Sequence, residues 1–167
     1  KFHGQGIYIW SDKAKYKGKF KEGLRNGRGF FEIPNGIKFE GEFEDDQYLK
    51  GIFTFPNGDE YSGEFKDGKF HGQGIFTYIN GEKYIGQFIQ GRRNGKGVFA
   101  YADGNEHSGE FKDGKFHGQG IFTSTTGGKY IGQFIESKRS GKGVFTYKNG
   151  DEYSGEFKDG KFHGQGI

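Results

Sequence analysis

The sequence predicts an all-β chain, an array of β-hairpin repeats. Three observations carry that expectation. A five-residue pattern of ring, Gly and ring recurs seven times at a nearly fixed step. Asn-Gly and Asp-Gly pairs punctuate the intervals. Short β-prone runs lie between them, and nothing repeats with the 3.6-residue period of a helix.

The ring pattern is the first element. Tyr16-Lys-Gly18-Lys-Phe20 returns as Phe39-Glu-Gly41-Glu-Phe43, Tyr61-Ser-Gly63-Glu-Phe65 and Tyr84-Ile-Gly86-Gln-Phe88. It continues as His107-Ser-Gly109-Glu-Phe111, Tyr130-Ile-Gly132-Gln-Phe134 and Tyr153-Ser-Gly155-Glu-Phe157. The steps are 23, 22, 23, 23, 23 and 23 residues. The short step is a one-residue deletion in Gln47–Gly51, where a Gly-x-Gly has shrunk to Lys50-Gly51. Strand alternation puts Tyr84, Gly86 and Phe88 on one face. Stacked repeats then align Tyr16, Phe20, Phe39, Phe43, Tyr61, Phe65, Tyr84, Phe88, Phe111, Tyr130, Phe134, Tyr153 and Phe157 into structural aromatic columns. Which residues of the preceding strand share that face depends on turn length, and the sequence leaves that parity open.

The second element is a Gly-x-Gly seven residues after most of the Phe positions, as at Gly72/Gly74, Gly95/Gly97 and Gly141/Gly143. The third is a β-prone run such as Val98-Phe99-Ala100-Tyr101, followed by a turn pair such as Asn57-Gly58, Asn80-Gly81 or Asp103-Gly104. Such pairs favour the positive φ of tight hairpin turns. Repeat one has Asp12-Lys13 there, and repeat six has Thr126-Gly127. A longer period of 46 residues overlies the first, so that neighbouring units alternate between Phe-Lys-Asp-Gly-Lys-Phe-His-Gly and Phe-Ile-Gln-Gly-Arg-Arg-Asn-Gly.

Composition agrees with this reading. The 167 residues include 34 Gly, 20 Phe and 10 Tyr but few aliphatic residues, so apolar burial must come from rings. The net charge of +3 does not indicate nucleic-acid binding, and no nucleic acid is expected as a partner. The chain has no Cys, which excludes a disulfide framework and fits a reducing compartment. No apolar run approaches the ~18 residues of a membrane-spanning helix. There is no Met, even at position 1, so the expectation is a fragment of a longer protein.

The pattern Tyr-x-Gly-x-Phe-x-x-Gly-x-x-x-Gly-x-Gly resembles the MORN (membrane occupation and recognition nexus) repeat over essentially the whole chain. Residues 1–167 therefore read as one continuous array of seven repeats of about 23 residues plus a partial one at the C-terminal end. Phe stands for the family's usual Trp throughout, His107 and Phe39 replace Tyr, and Ser137 and Asp46 replace Gly, changes expected to weaken local packing. The resemblance implies an elongated, single-layer antiparallel sheet of stacked hairpins, open and twisted. It also implies scaffolding of protein partners or association with anionic, phosphoinositide-bearing membranes, and a cytoplasmic location at the membrane or cytoskeleton. The alternative is a targeting or regulatory module of a larger enzyme, of the phosphatidylinositol-phosphate kinase or SET-domain lysine methyltransferase type.

Charge is expected to segregate by edge. The Asn-Gly edge carries Asp59, Glu60, Glu82, Asp103, Glu106, Asp151 and Glu152. The other edge forms a candidate anion-binding rim of Lys66, Lys69, Arg92, Arg93, Lys96, Lys112, Lys115, Lys138, Arg139 and Lys142. Other chemistry is weakly supported. The Gly pairs lack the third Gly and following helix of a dinucleotide loop. His71, His117 and His163 recur every four strands, ~19 Å apart, too far to converge on one metal. Carboxylate pairs such as Asp59-Glu60 repeat with the array and read as solvated turn charges. The chain is read as non-catalytic, with no cofactor or metal. The heptapeptide Lys1–Ile7 recurs as Lys161–Ile167, which predicts either head-to-tail self-association through terminal strand edges or a parent array that simply continues.

Overall fold

The structure, a computed structural model, describes all of residues 1–167. It is all strand and turn. The strands are β1 (Gly4–Ile9), β2 (Lys15–Lys21), β3 (Leu24–Glu32), β4 (Lys38–Glu44), β5 (Gln47–Thr54), β6 (Glu60–Lys66), β7 (Lys69–Thr77) and β8 (Lys83–Ile89). They continue as β9 (Arg92–Ala100), β10 (Glu106–Lys112), β11 (Lys115–Thr123), β12 (Lys129–Ile135), β13 (Lys138–Thr146), β14 (Glu152–Lys158) and β15 (Lys161–Gly166). Their order in the sheet is their order in the sequence, and the sheet is not closed. Contacts group the chain into two compact units, Lys1–Ile79 with Ile89–Gly91, and Asn80–Phe88 with Arg92–Ile167. Both units use the same local rules.

The two sheet edges have different turns. Strands β2–β3, β4–β5, β6–β7, β10–β11, β12–β13 and β14–β15 are joined by two-residue turns such as Asp67-Gly68 and Glu136-Ser137, with positive φ at both positions. These are type I′ hairpins, whose twist matches that of the strands. The Asn-Gly edge is built otherwise. There Gly58 N–H donates to the Phe55 carbonyl at 3.0 Å, Phe55 N–H donates to the Asp59 carbonyl at 2.9 Å, and only Gly58 has positive φ. This is a type I turn closed by a Gly bulge. The doubly left-handed turns expected at Asn-Gly therefore occur on the opposite edge, with Asp or Glu as the first residue in each of these hairpins.

The two glycines of Gly-x-Gly have separate jobs. The first, as in Gly141 with φ 59°, sits in a bulge: Gly132 pairs with Gly143, but Gln133 pairs with Ser140. The second supports a ring. Gly86 and Gly97 lie side by side, and a Cβ on either would stand 2.5 Å from the Tyr84 hydroxyl. Tyr130 covers Gly132 and Gly143 in the same way. The shortened segment at Lys50-Gly51 keeps the ring support, since Gly41 pairs with Gly51, while its bulge shrinks to the single residue Leu49.

Register also settles the open parity. Phe122, Tyr130 and Phe145 stand opposite one another on β11, β12 and β13, as do Gly120, Gly132 and Gly143. Both strands of each hairpin therefore put rings and glycines on the same face. The rings form an edge-to-face ladder: Tyr130 lies 5.1 Å from Phe134 and 4.8 Å from Phe157 of the next repeat. Tyr84 is 4.9 Å from Phe111, and Tyr16 is 5.1 Å from Phe43. Each ring so buried contributes ~1.5–3 kcal/mol of hydrophobic stabilisation. This ladder replaces the aliphatic core that the chain lacks.

Candidate binding face

The inner ring columns are closed to solvent. Tyr16, Phe39, Tyr61, Tyr84 and Tyr130 are fully buried, Phe20, Phe43, Phe65, Phe88, Phe111, Phe134 and Phe157 are buried, and Tyr153 is half-buried. Burial pushes the Tyr84 phenol up to about 12, against the opposing effects of Arg93 and of its own hydrogen bond to the Gln87 carbonyl. It thus stays a protonated donor. Tyr61, donating to the Glu64 carbonyl, is likewise raised to about 12 by burial.

What a partner meets is a second layer over these columns. Five residues after the Phe of each ring pattern stands, in turn, Arg25, Tyr48, Phe70, Arg93, Phe116, Arg139 and Phe162. Phe70 stacks on Tyr61 at 3.8 Å, and Phe116 stacks on His107 at 3.6 Å. After the first, fourth and sixth ring patterns a guanidinium takes that place: Arg93 lies 5.7 Å from the Tyr84 ring centroid and 4.9 Å from that of Phe99. From Phe70 onward the 46-residue period is thus an alternation of ring and guanidinium lids, with Tyr48 outside it. Towards the Asn-Gly edge runs a further row, Trp10, Ile33, Phe55, Tyr78, Tyr101, Ser124 and Tyr147, which is half-buried apart from Tyr147, 41% exposed.

The expected basic rim is altered in three ways. Arg93 and Arg139 turn onto rings, and Arg93 also donates to the Gly114 carbonyl at 2.7 Å. Lys96 and Lys142 lie on the opposite face, across from Glu110 and Glu156. Of the remainder, Arg92 pairs with Asp113 at 3.7 Å, Lys138 with Asp159 at 3.6 Å, and Lys115 with Glu136, whose carboxyl Lys115 holds below its ordinary range. The acids at the type I′ tips reach back one repeat, so the edge is a ladder of opposite charges. Lys66, Lys69 and Lys112 flank these tips as exposed cations. The reason is topological: the acid and its base lie 21 residues apart and meet only when repeats stack.

The departures from Gly at the turns also gain a role. Arg25 N–H donates to Asp46 Oδ1 at 2.8 Å, and Phe116 N–H donates to Ser137 Oγ at 3.2 Å. At these two places the substitution ties the turn to the preceding repeat instead of merely weakening it.

His107 is the one buried polar residue of the ring columns, 0% exposed. Its sister tyrosines donate to the carbonyl three residues on, but neither His107 ring nitrogen has a hydrogen-bond partner. Burial lowers its pKa from 6.5 to about 4. The unfolded chain therefore takes up a proton at His107 below about 6.5, while the folded chain resists until about 4. Stability from the neutral ring is complete above that window and is lost as pH falls through it, by up to ~3 kcal/mol. His107→Tyr is expected to abolish this loss and to add ~1 kcal/mol at pH 7 through a hydrogen bond to the Glu110 carbonyl. Urea unfolding at pH 7 and pH 5 checks it. An unchanged difference between the two pH values would contradict this account of His107.

The opposite face carries a different pattern. Val98, Ser108, Ile121, Ile131, Val144 and Ser154 form one cross-strand row, with Ile131 among the exposed apolar residues. Sequence reasoning missed the lid residues Phe70, Phe116 and Phe162, whose signal was the 46-residue period, and Tyr48, which lies outside that period. His71 and His117 are half-buried beside the bulges and His163 is exposed.

Comparison with known proteins gives three results. The chain matches the MORN repeat family at residues 1–15, 16–38, 50–60, 61–83, 84–106, 107–129, 130–152 and 153–167. No curated protein matches it by sequence. Among solved structures it is similar to the TCP10c domain of Drosophila melanogaster Sas-4, with TM-score 0.52, 11% identity, and 93% of each chain covered. It is also similar to the TCP domain of Drosophila melanogaster SAS-4 in complex with a proline-rich motif of Ana2, with TM-score 0.52, 9% identity, and 90% and 88% of the two chains covered. At these identities the likeness is one of fold.

Proposed function

This chain belongs to the MORN repeat family, and from that premise we propose that it is a non-catalytic scaffold that holds a protein partner along its ring-bearing face. The observation that carries this reading is the second layer. Within each unit, rings and guanidinium lids continue from repeat to repeat over a closed core, and Tyr147 of the outer row and Phe162 of the lid row stay accessible. Aromatic and Arg side chains are the residues that dominate protein interfaces energetically. The similar SAS-4 domain takes a proline-rich segment of another protein, which supports an extended polypeptide as the kind of partner. Neither unit offers a unique cleft in which acid, base and nucleophile converge, which supports a binding role over catalysis.

The competing ligand is an anionic membrane at the type I′ edge. The ion-pair ladder of Arg92, Lys115 and Lys138 with acids of the next repeat weighs against it. Selection of extended segments from a displayed peptide library tests the choice. Selected segments should lose affinity at least about tenfold with Tyr101→Lys/Tyr147→Lys and keep it with Ile131→Lys on the other face. Retained binding by the first variant would overturn the reading. Salt-sensitive co-sedimentation with phosphatidylserine vesicles, lost in Arg92→Glu/Lys138→Glu, would assign the edge to membranes instead.

A further inference from the structure

Repeat six lacks a ring that its neighbours have. Tyr78, Tyr101 and Tyr147 occupy equivalent positions 23 or 46 residues apart, and Ser124 stands in that series. The missing ring has a definite place. Tyr101 lies 4.8 Å from Phe99 of its own strand, 6.2 Å from Phe122 and 6.4 Å from Phe116 of the next repeat. Phe55 makes the same three contacts, with Phe53 at 5.0 Å, Phe76 at 5.7 Å and Phe70 at 6.0 Å. Carried forward one repeat from Tyr101, those neighbours are Phe122, Phe145 and Arg139.

All three line one groove of about 500 Å³, together with Ser124, Gly128 and His107. Gly128 leaves the groove open where Asn105 and Asp151 stand in neighbouring repeats. A second, independent observation lies deeper: His107 is fully buried in the wall, with both ring nitrogens unpartnered. Buried polar groups left so are exceptional in a folded protein. The two features occur in the same groove.

We infer that this groove is a binding site for one aromatic side chain of a partner protein, seated where the sister repeats supply a ring of their own. The inference rests on the scaffold reading and narrows it to an anchoring residue. Phe122 and Phe145 offer ring contacts, and the Arg139 guanidinium, 5.2 Å from the Phe145 centroid, offers a cation to the face of an incoming ring. An aromatic ring therefore gains more here than an aliphatic group of equal size.

The probe is p-cresol, the tyrosine side chain, titrated into the full chain against 4-methylcyclohexanol and followed by NMR. Saturable shifts at Thr126, Gly128 and the His107 imidazole are expected, in the millimolar range proper to so small a fragment. The cyclohexanol should bind at least about fivefold more weakly. Ser124→Tyr, which fills the gap as the sister repeats do, should weaken p-cresol at least about tenfold, and Ser124→Leu covers the case in which that variant misfolds. Absence of saturable shifts, equal binding of the two probes, or undiminished binding to the filled variants would overturn the site. Displayed segments that still bind the ring face while p-cresol fails would overturn the site alone. The reverse result would overturn the scaffold reading and leave the site standing.

Discussion

Phe88→Ala is expected to destabilise the chain by ~3–5 kcal/mol, a cost typical of removing a buried ring. Phe88 is 3% exposed and lies edge-on to Tyr84, at 5.1 Å. The fold has no second layer of helices or sheet beneath it, so no neighbouring core can collapse into the space. In a repeat array stability comes from nearest-neighbour interfaces, and a gap in the ring ladder weakens the coupling on both sides. Phe2→Ala is the control, since Phe2 is 58% exposed although it touches Tyr8 and Phe20. It should cost less than ~1 kcal/mol. Equal shifts of the urea midpoint for the two variants would contradict the ladder.

Gly97→Ala should be nearly as damaging, against the usual tendency of this change. Replacing a strand Gly by Ala ordinarily gains ~0.5–1 kcal/mol of chain entropy. Here the added methyl would stand 2.5 Å from the Tyr84 hydroxyl and 2.6 Å from its ring. The ring cannot swing aside, because Phe88 and Phe111 close on its edges and its hydroxyl is tied to the Gln87 carbonyl at 3.0 Å. Overpacking of ~1–3 kcal/mol then wins, and the upper end is expected because the obstacle is a held ring. Gly6→Ala separates this from any general effect of the substitution. Its methyl would meet only the Phe20 ring, at 3.4 Å, an ordinary contact. Thermal melts should place Gly6→Ala close to the unaltered chain and Gly97→Ala far below it. Similar melts would sink the ring-over-glycine account.

Much of the fold was legible from residues that act within one hairpin. Tyr84, Gly86 and Phe88 share a face by simple alternation, and Asn57-Gly58 does mark a turn. The rest required relations between repeats. The type I′ tips read as basic from Lys66, Lys69, Lys112 and Lys115, but Asp113 and Glu136 lean on cations 21 residues earlier in the chain. Gly-x-Gly looked like one motif, yet Gly95 forms a bulge with φ 64° while Gly97 lies under a ring. That division depends on register across strands, which no single-strand pattern encodes. Arg93 and Phe70 share one lid position although one is charged and the other apolar, so their equivalence shows only once both are seen over a Tyr ring. Ser124 interrupts a Tyr series, but the groove beside it forms only when the next repeat adds Arg139 and Phe145 to its walls.

The central claim is that each repeat is held by a ring lying flat on a pair of glycines. Proton NMR tests it directly, because Hα atoms beneath an aromatic face are shifted upfield by the ring current. The account predicts strong upfield Hα shifts for Gly86, Gly97, Gly132 and Gly143, which lie under Tyr84 and Tyr130, and ordinary shifts for the turn glycines Gly81 and Gly114, which have nothing near the side-chain position. Ordinary Hα shifts at Gly97 and Gly143 in the folded chain would contradict it.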